Sequence, residues 1–245
     1  MLLNKVNLYF LRELTDKDLF GLLNIEKLSE FSCEYCFKIT FERGIFLLLK
    51  VFGHSLTSLS LVELSLSRYR KAPSINIRTI VQYCPQLEIL ELGDNGDFVV
   101  APLEEERQIR DFRYLKKLHI CCRSEYFFVS KYESGYDISR EALDMLLTSP
   151  VLESLILEYC RPFDDDMILK VGDKFCNLEK LEFFGSHAVT RQGIELLMNE
   201  NNCLKKIRIF DCDLVTEEDA KKLEKFVKDK KWDVEWNWKA IELEQ

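Results

Sequence analysis

Leu178-Glu-Lys-Leu-Glu-Phe-Phe-Gly-Ser-His-Ala-Val-Thr190 is followed 26 residues later by Leu204-Lys-Lys-Ile-Arg-Ile-Phe-Asp-Cys-Asp-Leu-Val-Thr216, and both segments obey one rule. Apolar side chains stand at the first, fourth and sixth places (Leu178, Leu181, Phe183; Leu204, Ile207, Ile209), and a threonine follows twelve residues after the first. A helix-like apolar run comes next: Ile194, Leu196 and Leu197 in one copy, Ala220, Leu223 and Phe226 in the other. The spacing passes from alternation to helical within each unit, which predicts a strand, a loop and a helix. So short a unit cannot enclose a core alone, and its repetition at a fixed interval predicts a solenoid whose neighbours share one.

The same template finds first-position leucines at Leu3, Leu28, Leu56, Leu87, Leu115, Leu152, Leu178 and Leu204. That predicts a single domain over 1–245 with about eight repeats. The fourth and sixth places hold Val6 and Leu8, Phe31 and Cys33, Leu59 and Leu61, Leu90 and Leu92, Leu118 and Ile120, and Leu155 and Leu157 in the earlier units. Residues two apart on a strand share a face, so these pairs are predicted to point inward and the places between them to line a concave surface. Twelve residues after the anchor stand Thr15, Thr40, Asp164, Thr190 and Thr216, all good helix N-caps, with acids such as Asp16, Glu42 and Glu217 suited to the positive end of the helix dipole. Thr15 with Asp18 and Thr216 with Asp219 have capping-box spacing.

Three units depart from this register, and insertions in a solenoid belong to loops on one rim. The third moves its cap to Ser74, adding Arg68, Tyr69, Arg70 and Lys71, and the fifth moves it to Ser139. The fifth insertion, 123–136, carries Tyr126, Phe127, Phe128, Tyr132 and Tyr136. In the fourth, Pro102 is placed as a first helical residue. The last helix should stop near Lys228 to Lys231, followed by a closing strand over 232–236 whose tryptophans cover the end of the stack.

Lys and Arg number 34 against 42 Asp and Glu, a net charge of -8 that disfavours a nucleic-acid partner. No apolar run reaches the ~20 residues that span a bilayer, so no membrane association is expected. The first fourteen residues interrupt their apolar side chains with Asn4, Lys5, Asn7, Arg12 and Glu13, which is not the pattern of a secretion signal. Nine cysteines without such a signal point to a reducing compartment, the cytoplasm or nucleus.

The L-x-x-L-x-L core at this interval is the signature of leucine-rich repeats. Cys36, Cys160 and Cys212 stand eight after their anchors, where Asn95 stands in another unit, and Cys84-Pro-Gln-Leu87 precedes a strand. With the caps, this resembles the cysteine-containing subclass found in F-box and leucine-rich-repeat proteins, the substrate receptors of SCF-type ubiquitin ligases. The resemblance implies a right-handed α/β horseshoe, with a curved parallel sheet inside and helices outside, acting as a substrate-recognition or adaptor module. No stretch ahead of the first anchor reads as an F-box, so a ligase adaptor is expected to bind only if that module lies outside this chain.

Other motifs read as structure. Cys33-x-x-Cys36 has the spacing of a zinc or redox pair, but the repeat places Cys33 in a buried strand and Cys36 at the ladder position. Cys122 adjoins that position, while Cys121 faces the concave side as the candidate for an exposed thiol. His54, His119 and His187 are too dispersed for nucleophilic catalysis, and only His119 lies on the concave surface. Asp164-Asp-Asp166 falls at a helix start rather than in a cation loop. No metal, cofactor or catalytic constellation is predicted.

The concave places carry the functional signal. Tyr9, Glu30, Glu34, Glu91 and His119 lie there, as do Ile156, Glu158, Lys180, Glu182, Phe184, Lys206, Arg208 and Phe210. Ile156, Phe184 and Phe210 are predicted to form an exposed apolar patch flanked by Lys180, Lys206 and Arg208, unless the chain's own tail, 239–245, covers it. The expected function is protein binding through this patch and the aromatic loop 123–136. A regulator of an enzyme or GTPase, acting through Arg68 or Arg70, is the alternative.

Overall fold

A computed structural model describes residues 4–64, 74–93, 97–102, 111–122, 138–201 and 203–239. Its main sheet joins β1 (Lys5–Tyr9), β2 (Glu30–Glu34), β3 (Ser58–Val62), β5 (Ile89–Gly93), β7 (Lys117–Cys121), β8 (Ser154–Glu158), β9 (Lys180–Phe184), β10 (Lys206–Phe210) and β11 (Glu235–Lys239). All nine are parallel and follow chain order, and the sheet stays open, with β1 and β11 as its edges. The two-residue strands β4 (Ile75–Asn76) and β6 (Phe98–Val99) pair separately.

Register carries the repeat template across the sheet. Leu61 lies beside Leu92, Leu92 beside Ile120, Leu157 beside Phe183, and Phe183 beside Ile209. The inward pairs from β2 to β10 are buried, as are the anchors Leu28, Leu56, Leu87, Leu115, Leu152, Leu178 and Leu204. Leu3 lies outside the described residues. Burying one such side chain stabilises the fold by about 1.5–3 kcal/mol.

The helices α1 (Phe46–Phe52), α2 (Ile77–Tyr83), α3 (Arg140–Leu146), α4 (Asp165–Val171), α5 (Arg191–Glu200) and α6 (Glu217–Asp229) connect the strands. Their apolar faces complete the same core through Leu49, Ile80, Leu143, Ile168, Leu197 and Leu223. None of the helices among the described residues is long and apolar enough to cross a membrane.

Thr40, Ser139, Asp164, Thr190 and Thr216 accept hydrogen bonds from first-turn amides, and Thr216 with Asp219 forms a complete capping box. In the first unit the roles are reversed: the 3-10 helix begins at Asp18, whose carboxylate accepts from both the amide and the hydroxyl of Thr15. Ser74 does not cap α2. Asn76 does, because its side-chain amide also exchanges two hydrogen bonds with the Ala101 backbone, at 3.1 and 3.2 Å. The helical start assigned to Pro102 falls on 103–110, outside the described residues.

The closing strand begins at Glu235, not Trp232. After α6 the chain turns through Lys231 at a φ of 53°, and pairing starts with Glu235 beside Lys206, followed by Trp236 beside Ile207 and Trp238 beside Ile209. Trp232 instead packs edge-on against Phe226 at 6.0 Å.

Two further devices tie neighbouring units. Residues just past six strands, Phe10, Tyr35, Glu63, Tyr159, Gly185 and Asp211, adopt the left-handed conformation, and each amide donates to a carbonyl of the next strand. On the helix side, Asp16 receives the amide and hydroxyl of Thr40, and Asp165 receives those of Thr190. Gly44 and Gly193 make room for these clamps, since a Cβ at either would overlap the Asp16 or Asp165 carboxylate.

Candidate functional site on the open sheet face

The described helices pack on the inward side chains of the strands, and strand alternation leaves the opposite face of the sheet without a helix among the described residues. On it, register lines up Ser32, Ser60, Glu91, His119, Ile156, Glu182, Arg208 and Asn237 in one row, and Glu34, Val62, Gly93, Cys121, Glu158, Phe184, Phe210 and Lys239 in the next.

From β2 to β8 this face is bonded to itself. Ser60 lies 3.2 Å from both Glu34 and Glu91, and His119 bridges Glu91 at 3.0 Å and Glu158 at 2.8 Å. Burial of the imidazole opposes its charge, but hydrogen bonds to Glu158 and Glu91 outweigh that cost and push His119 up to about 9. The ring is therefore an imidazolium at neutral pH, with both nitrogens donating. The His119 hydrogen bond in turn holds Glu91 below the usual carboxylate range against the desolvation that opposes it. Glu158 also lies 3.7 Å from the Cys121 thiol.

From β9 to β11 the face changes character. Phe184 and Phe210 pack together at 5.2 Å, half-buried. Ile156 sits beside Glu182 rather than in line with the rings, so the expected three-residue patch is a phenylalanine pair with the isoleucine displaced to the adjacent row.

Glu182 corrects a second expectation: it is only 4 % exposed and is not a contact residue at the surface. Its Oε1 accepts no hydrogen bond, lying 3.3 Å from Lys180 Nζ and 3.6 Å from Arg208 Nη1. Lys206 and Arg208 also reach Glu235, at 3.6 and 3.3 Å. The cations expected at the rim of the patch thus share two carboxylates inside it. Tyr126, Phe127, Phe128 and Tyr132, with Arg68 and Arg70 and the tail after Lys239, lie outside the described residues.

The remaining motifs have structural partners. The Cys36 thiol donates to the Leu8 and Glu34 carbonyls at 3.6 and 3.4 Å, and burial pushes the Cys33 thiol well up. Asp164 caps α4 and pairs with both guanidinium nitrogens of Arg140. His187 pairs with Asp213 at 2.6 Å.

One feature escaped the sequence reading. Where β1 and β2 end, Tyr9, Phe10, Tyr35 and Phe37 form an aromatic cluster, with Tyr9 packed edge-on against Tyr35 at 5.5 Å and Arg12 above Phe10 at 4.5 Å. Its sequence signal is a pair of aromatics six and seven places after Leu3 and another seven and nine places after Leu28; of the four, only Tyr9 is among the concave residues named above. Compared with models of known protein families and with curated proteins, the sequence finds no match.

Proposed function

We propose that this chain is a right-handed leucine-rich-repeat solenoid that binds another protein through the open face of β8–β10 and performs no chemistry of its own. One observation carries the reading: Phe184 and Phe210 remain partly exposed on a sheet face that no described helix covers, in contact with each other, while Phe183, next to Phe184 in sequence, is buried. Paired aromatics surrounded by polar groups are the common anchors of protein interfaces. Strands taken in chain order, with template places in register, support the repeat architecture. The resemblance to F-box and leucine-rich-repeat substrate receptors suggests an adaptor or recognition role, with a ligase adaptor entering only through an F-box outside this chain. The nine cysteines, in a sequence without the pattern of a secretion signal, support a cytoplasmic or nuclear location.

The test is affinity capture from lysate with wild-type protein and a Phe184→Asp/Phe210→Asp variant whose folding is verified by circular dichroism. Loss of specifically recovered partners is expected, since aromatic anchors carry about 2 kcal/mol or more each. Unchanged recovery removes this face from the interface.

A further inference from the structure

We infer that the segment bound on this face is acidic: an extended stretch of protein with Asp and Glu around one or two large apolar residues. The inference rests on the protein-binding reading above and adds the chemistry of the partner.

Charge distribution is the ground for it. Although the chain as a whole carries -8, Lys180, Lys206 and Arg208 stand on the open-face places of β9 and β10 against Glu182 and the neighbouring Glu235 of β11. At the other end, β1–β5 hold Glu30, Glu34 and Glu91 against Lys5. The phenylalanine pair therefore sits in the cationic part of an acidic molecule.

Geometry sharpens this. Lys180, Lys206 and Arg208 share two carboxylates at 3.3–3.6 Å, and Arg208 spreads its guanidinium between Glu182 and Glu235 rather than gripping either in a fork. Glu182 is buried beside Lys180 and Arg208, so its charge is not presented to a ligand. An incoming carboxylate finds Arg208 able to form the paired hydrogen bonds that neither Glu182 nor Glu235 makes with it. A basic segment meets the same cations and is repelled. Rings supply the contact area while charges set orientation and exclude wrong partners. Phosphate backbones are a poorer fit, because Lys180, Lys206 and Arg208 interleaved with Glu182 and Glu235 leave little excess charge to displace counterions.

The experiment selects a phage-displayed random dodecapeptide library on the full chain and measures fluorescence anisotropy of the best synthetic peptide. Targets are wild type, Lys206→Glu/Arg208→Glu and Phe184→Asp/Phe210→Asp. The expected pool is enriched in Asp and Glu around Phe, Leu or Trp, and its best peptide weakens about tenfold or more in the charge-reversed variant and at high salt. A basic or neutral pool that is lost only in the phenylalanine variant overturns the acidic partner and leaves the protein-binding face standing. A pool indifferent to the phenylalanines overturns both. No enrichment, or binding of a labelled single-stranded oligonucleotide in preference to the acidic peptide, also overturns the inference.

Discussion

The two halves of the open face share one backbone and one register but use their side chains in opposite ways. From β2 to β8, Glu34, Ser60, Glu91, His119 and Glu158 satisfy one another in a chain of hydrogen bonds. On β9–β11 the corresponding places hold the Phe184–Phe210 pair and cations that outnumber their carboxylates. A surface that completes its own bonding gains little from a partner, whereas half-buried rings beside three cations that share two carboxylates gain both contact and pairing. The difference separates a self-bonded half from the half proposed to bind.

The sharpest way to break that contrast uses adjacent residues. Phe183 packs against Phe163 at 5.4 Å in the core, while Phe184 touches Phe210 on the open face. Phe183→Ala is expected to cost about 3–5 kcal/mol in urea unfolding, through lost burial and a cavity. Phe184→Ala should cost about 1 kcal/mol, the scale of an aromatic pair contact. Equal losses would show that Phe184 is part of the core and dissolve the division.

In the self-bonded half, pH isolates the His119 bridge. Because the folded pKa of His119 is raised from 6.5 to about 9, its contribution is fully present below pH 6.5 and declines as pH rises through about 9. The loss amounts to at most about 3 kcal/mol between those limits. Glu91 acts in the opposite direction: its lowered pKa gives stability present above its ordinary 4.5 and lost as pH falls through the folded value. A His119→Asn variant should lose the alkaline slope relative to wild type, a difference that cancels the ionisation of buried thiols such as Cys84, which burial raises to about 12. NMR titration that finds His119 near its ordinary value would remove the bridge as a source of stability.

On the helix side the two halves are expected to behave alike. Gly44→Ala and Gly193→Ala both drive a methyl group into a clamping carboxylate, Asp16 or Asp165, and each should cost about 1–3 kcal/mol. A large cost at one position and none at the other would mean that the asymmetry runs through the whole unit rather than the open face alone.

Much of this was legible in the sequence because burial follows alternation: Leu181, Phe183, Ile207 and Ile209 announce the inward face, and Thr190 and Thr216 the helix starts. What resisted reading depends on neighbours. Glu182 sits at an outward place yet is buried, because register sets it between Ile156 and Arg208, and the residues beside it determine its exposure. Phe10, Tyr35 and Tyr159 adopt a conformation that costs a non-glycine residue about 1–2 kcal/mol, compensated by a strand-to-strand hydrogen bond that propensity does not register. Asn76 displaced Ser74 as a cap because its second partner, Ala101, lies in the next unit.

The smallest expected effect tests the half proposed to bind most directly. Arg208 is about one-third exposed and lies 3.3 Å or more from both of its carboxylates, so Arg208→Ala should change unfolding stability by no more than about 1 kcal/mol. Lys180, at 3.3 Å, still balances the buried charge of Glu182 when the guanidinium is removed. A loss well above 1 kcal/mol would mean that Arg208 is already fully engaged within the chain, and the cations of β9–β11 would then belong to the self-satisfied network rather than to a surface awaiting a partner.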